Sequence, residues 1–150
     1  MKNLYEPQTT EEIKGRVAQL RPDSERLWGS MTVAQTVEHC CRGMESATGD
    51  RLVPRVFVGR ILGPIVKPMA LGNDKPLRKN SPTAPAFVVK GEPEFATERE
   101  RLLGLIDRFV AAGAAGCTKH PHAFFGKLTP EEWSELMYKH LDHHLRQFGV

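Results

Sequence analysis

Residues 129–150 read TPEEWSELMYKHLDHHLRQFGV, and this stretch decides the fold. Thr129 is placed to cap a helix, Pro130 suits its first turn, and Glu132 stands at the third position, where it completes a capping box. The spacing predicts a helix running to about Phe148. At roughly 100° per residue, Trp133, Met137, His140, His144 and Phe148 share an arc of about 80°, with Glu131, Glu135, Lys139, Asp142 and Arg146 opposite. His140 and His144 therefore sit on the apolar face, one turn apart, where two imidazoles can offer nitrogens to the same transition-metal ion. The alternative is a pair of core histidines satisfied by hydrogen bonds.

Moving outward, the same signals recur. Thr32 with Gln35 at the capping-box position starts a helix that runs to about Ala47, before Gly49, with a stripe of Val33, Val37, Cys40, Cys41 and Met44. Thr9 or Thr10, followed by Glu11 and Glu12, marks a first helix ending near Leu20, since Pro22 follows. Glu94 to Gly113 has helical spacing through Phe95, Leu102, Ile106, Phe109 and Val110, and Gly113 and Gly116 close it. No segment alternates convincingly with period two. The expectation is an all-α, antiparallel four-helix bundle in one domain, 1–150, with an inserted segment of about residues 51–92 between its second and third helices.

Composition narrows the function. With 150 residues, 40% apolar, one core can form without staples. Three cysteines, two of them adjacent as Cys40 and Cys41, make no paired framework and argue for a reducing compartment. Residues 1–12, MKNLYEPQTTEE, have no apolar run of signal-peptide length, so a cytoplasmic location is expected. The most apolar segment, Val53 to Leu71, is broken by Arg55, Arg60, Pro64, Lys67 and Pro68, whereas a membrane helix needs about 20 largely uncharged residues. No nucleophile triad, phosphate loop or dinucleotide fingerprint is present.

A metal site needs a third ligand. His39 is the one other histidine in a segment with helical spacing, but it lies roughly 140° from the centre of its helix's apolar stripe, beside Thr32, Thr36 and Gly43. Either this face is solvent-exposed, or its small and hydroxylated residues line a cavity that leaves room for a ligand. His143 sits at the edge of its stripe. His120 and His122, in HPHAFFG, read as a rim or lid, and the cysteines as small buried hydrophobes. Glu38, Tyr138 and Asp142 are candidates for acid–base help or for supporting a ligand.

The run WGSMTVAQTVEH at residues 28–39, followed about a hundred residues later by HLDHHLRQ at 140–147, resembles the DinB/YfiT-like superfamily of four-helix metalloenzymes. The ending HPHAFFGKLTPEEWSELMYKHLDHHLRQFGV resembles an uncharacterised bacterial branch of it. The resemblance implies a metal triad of His39, His140 and His144, which resolves the position of His39 in favour of the cavity. Three imidazoles leave a coordination position open, as catalytic sites do, and zinc, nickel or iron would each accept them. An ion there could activate water for hydrolysis or a low-molecular-weight thiol for attack on an electrophile. The superfamily includes transferases that use such thiols, so the implied function is a small-thiol S-transferase or a hydrolase.

Charge is distributed unevenly. Residues 51–90 carry eight basic side chains (Arg51, Arg55, Arg60, Lys67, Lys75, Arg78, Lys79 and Lys90) against one acidic, Asp74, a balance of +7. The whole chain is +3, so the remainder carries −4. Placed over the metal mouth, this segment would concentrate an anionic small-molecule substrate. The alternative is a nucleic-acid or anionic-surface module, but Phe57 and Phe87 are its only aromatics, few for base stacking. A third reading is a non-catalytic bundle that associates as a homodimer through Val56, Phe57, Ile61 and Leu62.

Overall fold

Two capping boxes form as the sequence predicts and fix the helices that carry the histidines. In the computed structural model, which describes residues 1–150, the Thr32 side chain accepts from Gln35 N while the Gln35 side chain accepts from Thr32 N, and Thr129 and Glu132 repeat the arrangement. The chain is all-helical, with five α-helices and no strand: α1 (Pro7–Gln19), α2 (Val33–Thr48), α3 (Phe57–Ala70), α4 (Phe95–Gly116) and α5 (Pro130–Gln147). A short 3-10 turn, Pro85–Phe87, lies between α3 and α4. No helix is long and apolar enough to cross a membrane.

Two boundaries differ from the sequence reading. α1 begins at Pro7 rather than behind Thr9 or Thr10, because proline's fixed φ and missing N–H suit the first helical position. The two threonines instead lie inside the first turns, where Thr9 Oγ1 donates to Glu6 Oε2 at 3.0 Å and Thr10 Oγ1 donates to the Leu4 carbonyl at 2.6 Å. α4 is capped by the Glu94 carboxylate, which accepts from Ala96 N and Thr97 N, and runs on to Gly116 past a break at Gly113. Gly113 has φ 58° and ψ −157°, a conformation open to glycine and strained for other residues.

α2 packs against α4 and α5, α1 packs against the same two helices, and α4 also touches α5. The shared core holds Leu4, Ile13, Val17, Val37, Met44, Leu102, Ile106, Phe109, Trp133 and Leu141, all essentially inaccessible to solvent. Burying side chains of this size contributes about 1.5–3 kcal/mol each.

α3 has no close backbone packing with another helix and meets α5 only through side-chain bonds at its C-terminal end, Lys67 to Glu132 and Lys139 to the Ala70 carbonyl. Its main support is the turn 122–126, where Gly59 and Gly63 face the backbone of Phe124. A Cβ at Gly59 would stand 2.7 Å from the Phe124 carbonyl oxygen, and one at Gly63 would overlap it. Val56 N donates to the Ala123 carbonyl at 3.0 Å, the Arg55 guanidinium donates to the Gly59 and Phe124 carbonyls, and Lys67 pairs with Glu132 at 2.8 Å. The sequence reads this segment as an apolar stretch broken by Arg55, Arg60, Pro64, Lys67 and Pro68 within the insertion. It is a 14-residue helix with Pro64 and Pro68 inside it.

The middle of the polar face of α5 is not solvated: Glu135, Lys139 and Asp142 are buried, while Glu131 and Arg146 at its ends stay exposed. Asp142 is buried between Arg16 Nη1 and Arg146 Nε, both at 2.9 Å. Glu135 Oε1 accepts from Gly72 N at 2.8 Å, and Lys139 Nζ donates to the Ala70 carbonyl at 2.7 Å. The helical wheel assumes water opposite the core. Here α1 and residues 70–73 occupy that side, and each charge they cover is given a partner, as burial requires.

Candidate metal centre

α2 supplies His39, and α5 supplies His140 and His144. The three ring nitrogens nearest one another lie within 4.8 Å, a group that could hold a metal ion. His39 is 6% exposed, so its face of α2 is the interior one and the solvent-exposed reading is set aside. His144 is buried as well, and His140 is partly so. The face of α2 that carries His39 has small residues for a steric reason. A Cβ at Gly43 would stand 3.0 Å from both Cε1 and Nδ1 of His140, so glycine leaves the space that this ring occupies. Thr36, one turn before His39, is buried with a hydroxyl that has no protein partner.

Hydrogen bonds define which nitrogen of each ring is free. His39 Nδ1 lies 3.0 Å from the carbonyl oxygen of Phe87, which can only accept, so Nδ1 carries the proton and Nε2 the lone pair. His144 Nδ1 lies 2.9 Å from Gln147 Oε1, and the Gln147 amide is oriented by its own Nε2, which donates to the Trp28 carbonyl at 2.8 Å. His144 Nε2 is therefore also a lone pair. His39 Nε2 and His140 Nε2 are 2.9 Å apart, a contact that needs either one proton or one cation between them. A tetrahedral ion with bonds of about 2.0–2.1 Å separates its nitrogen ligands by about 3.3 Å, so the His39–His140 pair at 2.9 Å would open slightly and the wider spacings, up to 4.8 Å, would close for all three rings to reach one ion. An imidazole whose second nitrogen donates to a carbonyl is the usual form of a metal-ligating histidine.

Electrostatics keeps the rings neutral. Burial pushes the His39 pKa down, opposed by its bond to Phe87. His140 is held well below the ordinary histidine range by burial and then by His144 and His39. His144 is pushed down to about 3, chiefly by burial and by His39, with Gln147 opposing. Neutral imidazoles offer the lone pairs that a cation needs.

Of the remaining candidates His143 borders the triad, its ring edge-on to His144 with centroids 5.0 Å apart and to Trp28 at 5.8 Å, and the others lie farther off. His120 Nε2 meets the Val53 carbonyl at 3.0 Å. His122 Nδ1 accepts from both Phe124 N and Phe125 N at 3.1 Å, and its ring lies against Phe125 and Trp133. Burial, and secondarily Arg55, pushes the His122 pKa down to about 4. This histidine is part of the packing rather than a mobile lid. Beside it, a cleft lined by Ser46, Phe87, His120 and Trp133 has room for about one water, and Ser46 Oγ and Trp133 Nε1 lack protein partners.

None of the three proposed helpers bonds to the triad. Glu38 pairs with Arg42, Asp142 with Arg16 and Arg146, and Tyr138 lies under the Lys2 ammonium. Cys40 and Cys41 are buried free thiols, with pKa values raised first of all by that burial. The sequence reading missed Gln147, Phe87 and Trp28. Gln147 was findable, since it lies three residues after His144 on the same helix. The Phe87 carbonyl carries no local signal, because 48 residues separate it from His39.

No curated protein and no solved structure matches the chain. The profile of a family described as Protein of unknown function (DUF1569) matches residues 6–149, nearly the full length, and the chain belongs to that family.

Proposed function

We propose that this protein is a metal-dependent enzyme of DinB/YfiT-like type, a single-domain four-helix bundle with residues of about 51–92 inserted, and that it acts as a small-thiol S-transferase. His39, His140 and His144 would hold one divalent ion of zinc, nickel or iron. The observation that carries this reading is the pair of bonds from His39 Nδ1 to Phe87 and from His144 Nδ1 to Gln147. Both leave an unprotonated Nε2 on rings whose centroids are 4.8 Å apart, within a cluster whose ligand atoms lie within 4.8 Å of one another. When bound, the ion would supply Lewis acidity and lower the pKa of a small thiol beside it, or of water if the reaction is hydrolysis.

The chain's own residues do the rest. Phe87 and Gln147 orient two rings, Gly43 makes room for the third, and the buried surroundings keep all three unprotonated. The basic segment is a weaker basis for a nucleic-acid module. Arg51 is tied to Glu45, Arg55 to backbone carbonyls, Lys67 to Glu132, and Lys79 to the face of Trp28 at 4.0 Å.

Elemental analysis of untagged protein purified without chelator tests the reading, alongside a His140→Ala/His144→Ala double variant. About one transition-metal ion per chain is expected, and none in the variant. Full retention of metal in the double variant would refute the triad. Absence of metal after incubation with zinc, nickel and iron(II) would refute the metalloenzyme.

A further inference from the structure

α3 leaves its apolar side bare. Phe57, Val58, Ile61, Leu62, Ile65 and Met69 are between 43% and 75% exposed. At 100° per residue they occupy one continuous arc together with Pro64 and Pro68, and no polar residue interrupts it. Together the six side chains expose about 700 Å² of apolar surface, more than the ~300–600 Å² of the largest patch on a typical monomer. This approaches the ~800 Å² that each partner contributes to a standard protein interface.

The helix is a fixed ridge, not a loose arm. Gly59 and Gly63 lie against the Phe124 backbone, and Arg55, Val56 and Lys67 anchor both ends to residues 123–132. A surface already rigid loses little entropy on binding.

Two features select the occupant. The first is the order of residues along the stripe. Phe57, Ile61, Ile65 and Met69 follow one another at intervals of four, large at the ends and β-branched in the middle. Such a row is self-complementary when reversed. About a two-fold axis at Gly63, Phe57 meets Met69 of a second copy and Ile61 meets its Ile65, as a symmetric contact requires. Rows of spacing four are also the ridges that interdigitate in the commonest helix–helix packing. The second feature is charge. α3 has no acidic residue, and of its two basic residues Lys67 is neutralised by Glu132. Arg60 alone is free, at the flank, so two copies would meet without buried like charges. A lipid-surface helix would need a basic polar face, whereas here Gly59 and Gly63 are pressed on protein, Lys67 is paired with Glu132, and Arg60 is the one unpaired basic residue of the helix.

We infer that α3 is the interface of a homodimer in which two copies of this chain pair their α3 helices antiparallel, Phe57 against Met69 and Ile61 against Ile65.

Sedimentation velocity from about 1 to 100 μM chain tests this, because dimer population follows concentration. Wild type is expected to sediment as a dimer across most of that range. Ile65→Glu places two carboxylates in the apolar contact and should weaken association about a hundredfold or more, since each substitution enters the interface twice. Because Ile65 is exposed in the single chain, helical circular dichroism and metal content should not change. Should that variant misfold, Met69→Lys at the end of the stripe serves the same purpose. Mixing Ile61→Cys with Ile65→Cys chains should give a mixed disulfide in preference to either homodisulfide. A wild type that stays monomeric at 100 μM overturns the inference, as does a dimer that Ile65→Glu and Met69→Lys leave intact. A monomer that pellets with phosphatidylglycerol vesicles overturns it in favour of a lipid surface.

Discussion

Gln147→Leu tests whether Gln147 orients His144 for the proposed metal site or only fills space. Gln147 is buried, its Oε1 accepts from His144 Nδ1 at 2.9 Å, and its Nε2 donates to the Trp28 carbonyl at 2.8 Å. Leucine has similar volume and offers neither bond, so the apo protein should lose about 1–3 kcal/mol for the polar groups left without partners. The effect on metal is separate. Without its acceptor, His144 is free to move its proton to Nε2 or rotate the ring, and losing such an outer contact weakens metal affinity about 10–100-fold. At about 1.4 kcal/mol per decade, that is about 1.4–2.8 kcal/mol. Zinc affinity is measured by competition with a chromophoric chelator, and apo stability by urea unfolding. Gln147→Glu keeps an acceptor for Nδ1 and is expected to hold zinc within about threefold of wild type, even if the lost donor to Trp28 lowers stability. If Leu and Glu weaken zinc binding equally, or if neither does, the orientation argument fails.

Two further perturbations probe the same region. Gly43→Ala gains about 1 kcal/mol of helix propensity but sets a methyl 3.0 Å from two atoms of His140. Stability should therefore stay within about 1 kcal/mol of wild type while zinc affinity falls about tenfold, and unchanged affinity in the chelator competition would show that His140 does not need that space. His122 has a folded-state pKa pushed down to about 4, so the unfolded chain takes up its proton first as pH falls below about 6.5. Stability contributed by the neutral ring is present above pH ~6.5 and is lost toward pH ~4, at most about 3 kcal/mol. His122→Asn retains an acceptor for the Phe124 and Phe125 amides without titrating, and urea midpoints for the apo proteins between pH 4 and 7 should fall less steeply in it than in wild type.

Local signals were legible in the sequence and long-range ones were not. Thr32 and Thr129 announced their helices because a capping box is written within four residues. The inward pair His140 and His144 followed from one helical wheel, since α5 has a continuous apolar stripe. His39 could not be placed in the same way. The stripe on α2 faces α4, while His39 lies on a second buried face toward α5, and a wheel that assumes one buried face sends it to solvent. Asp142, Glu135 and Lys139 were misplaced for the same reason, because nothing within α5 says that Arg16 and residues 70–73 will cover its polar side.

The same comparison changes what the segment between α2 and α4 is for. On sequence it is an addition to four helices, rich in proline and charge. In the fold, its Phe87 carbonyl sets the tautomer of His39. Its Gly72 amide and Ala70 carbonyl satisfy Glu135 and Lys139 of the helix that carries the other two histidines. A histidine alone on α2 would be free to protonate either nitrogen, and a helix with charges on its covered side would be unstable without partners. The segment therefore completes the site rather than decorating it. Its outer helix, α3, is bonded to the turn 122–126, whose His122 ring lies against Trp133, two turns before His140 on α5. An association through α3 would thus be built on a segment that already supplies an outer contact to His39.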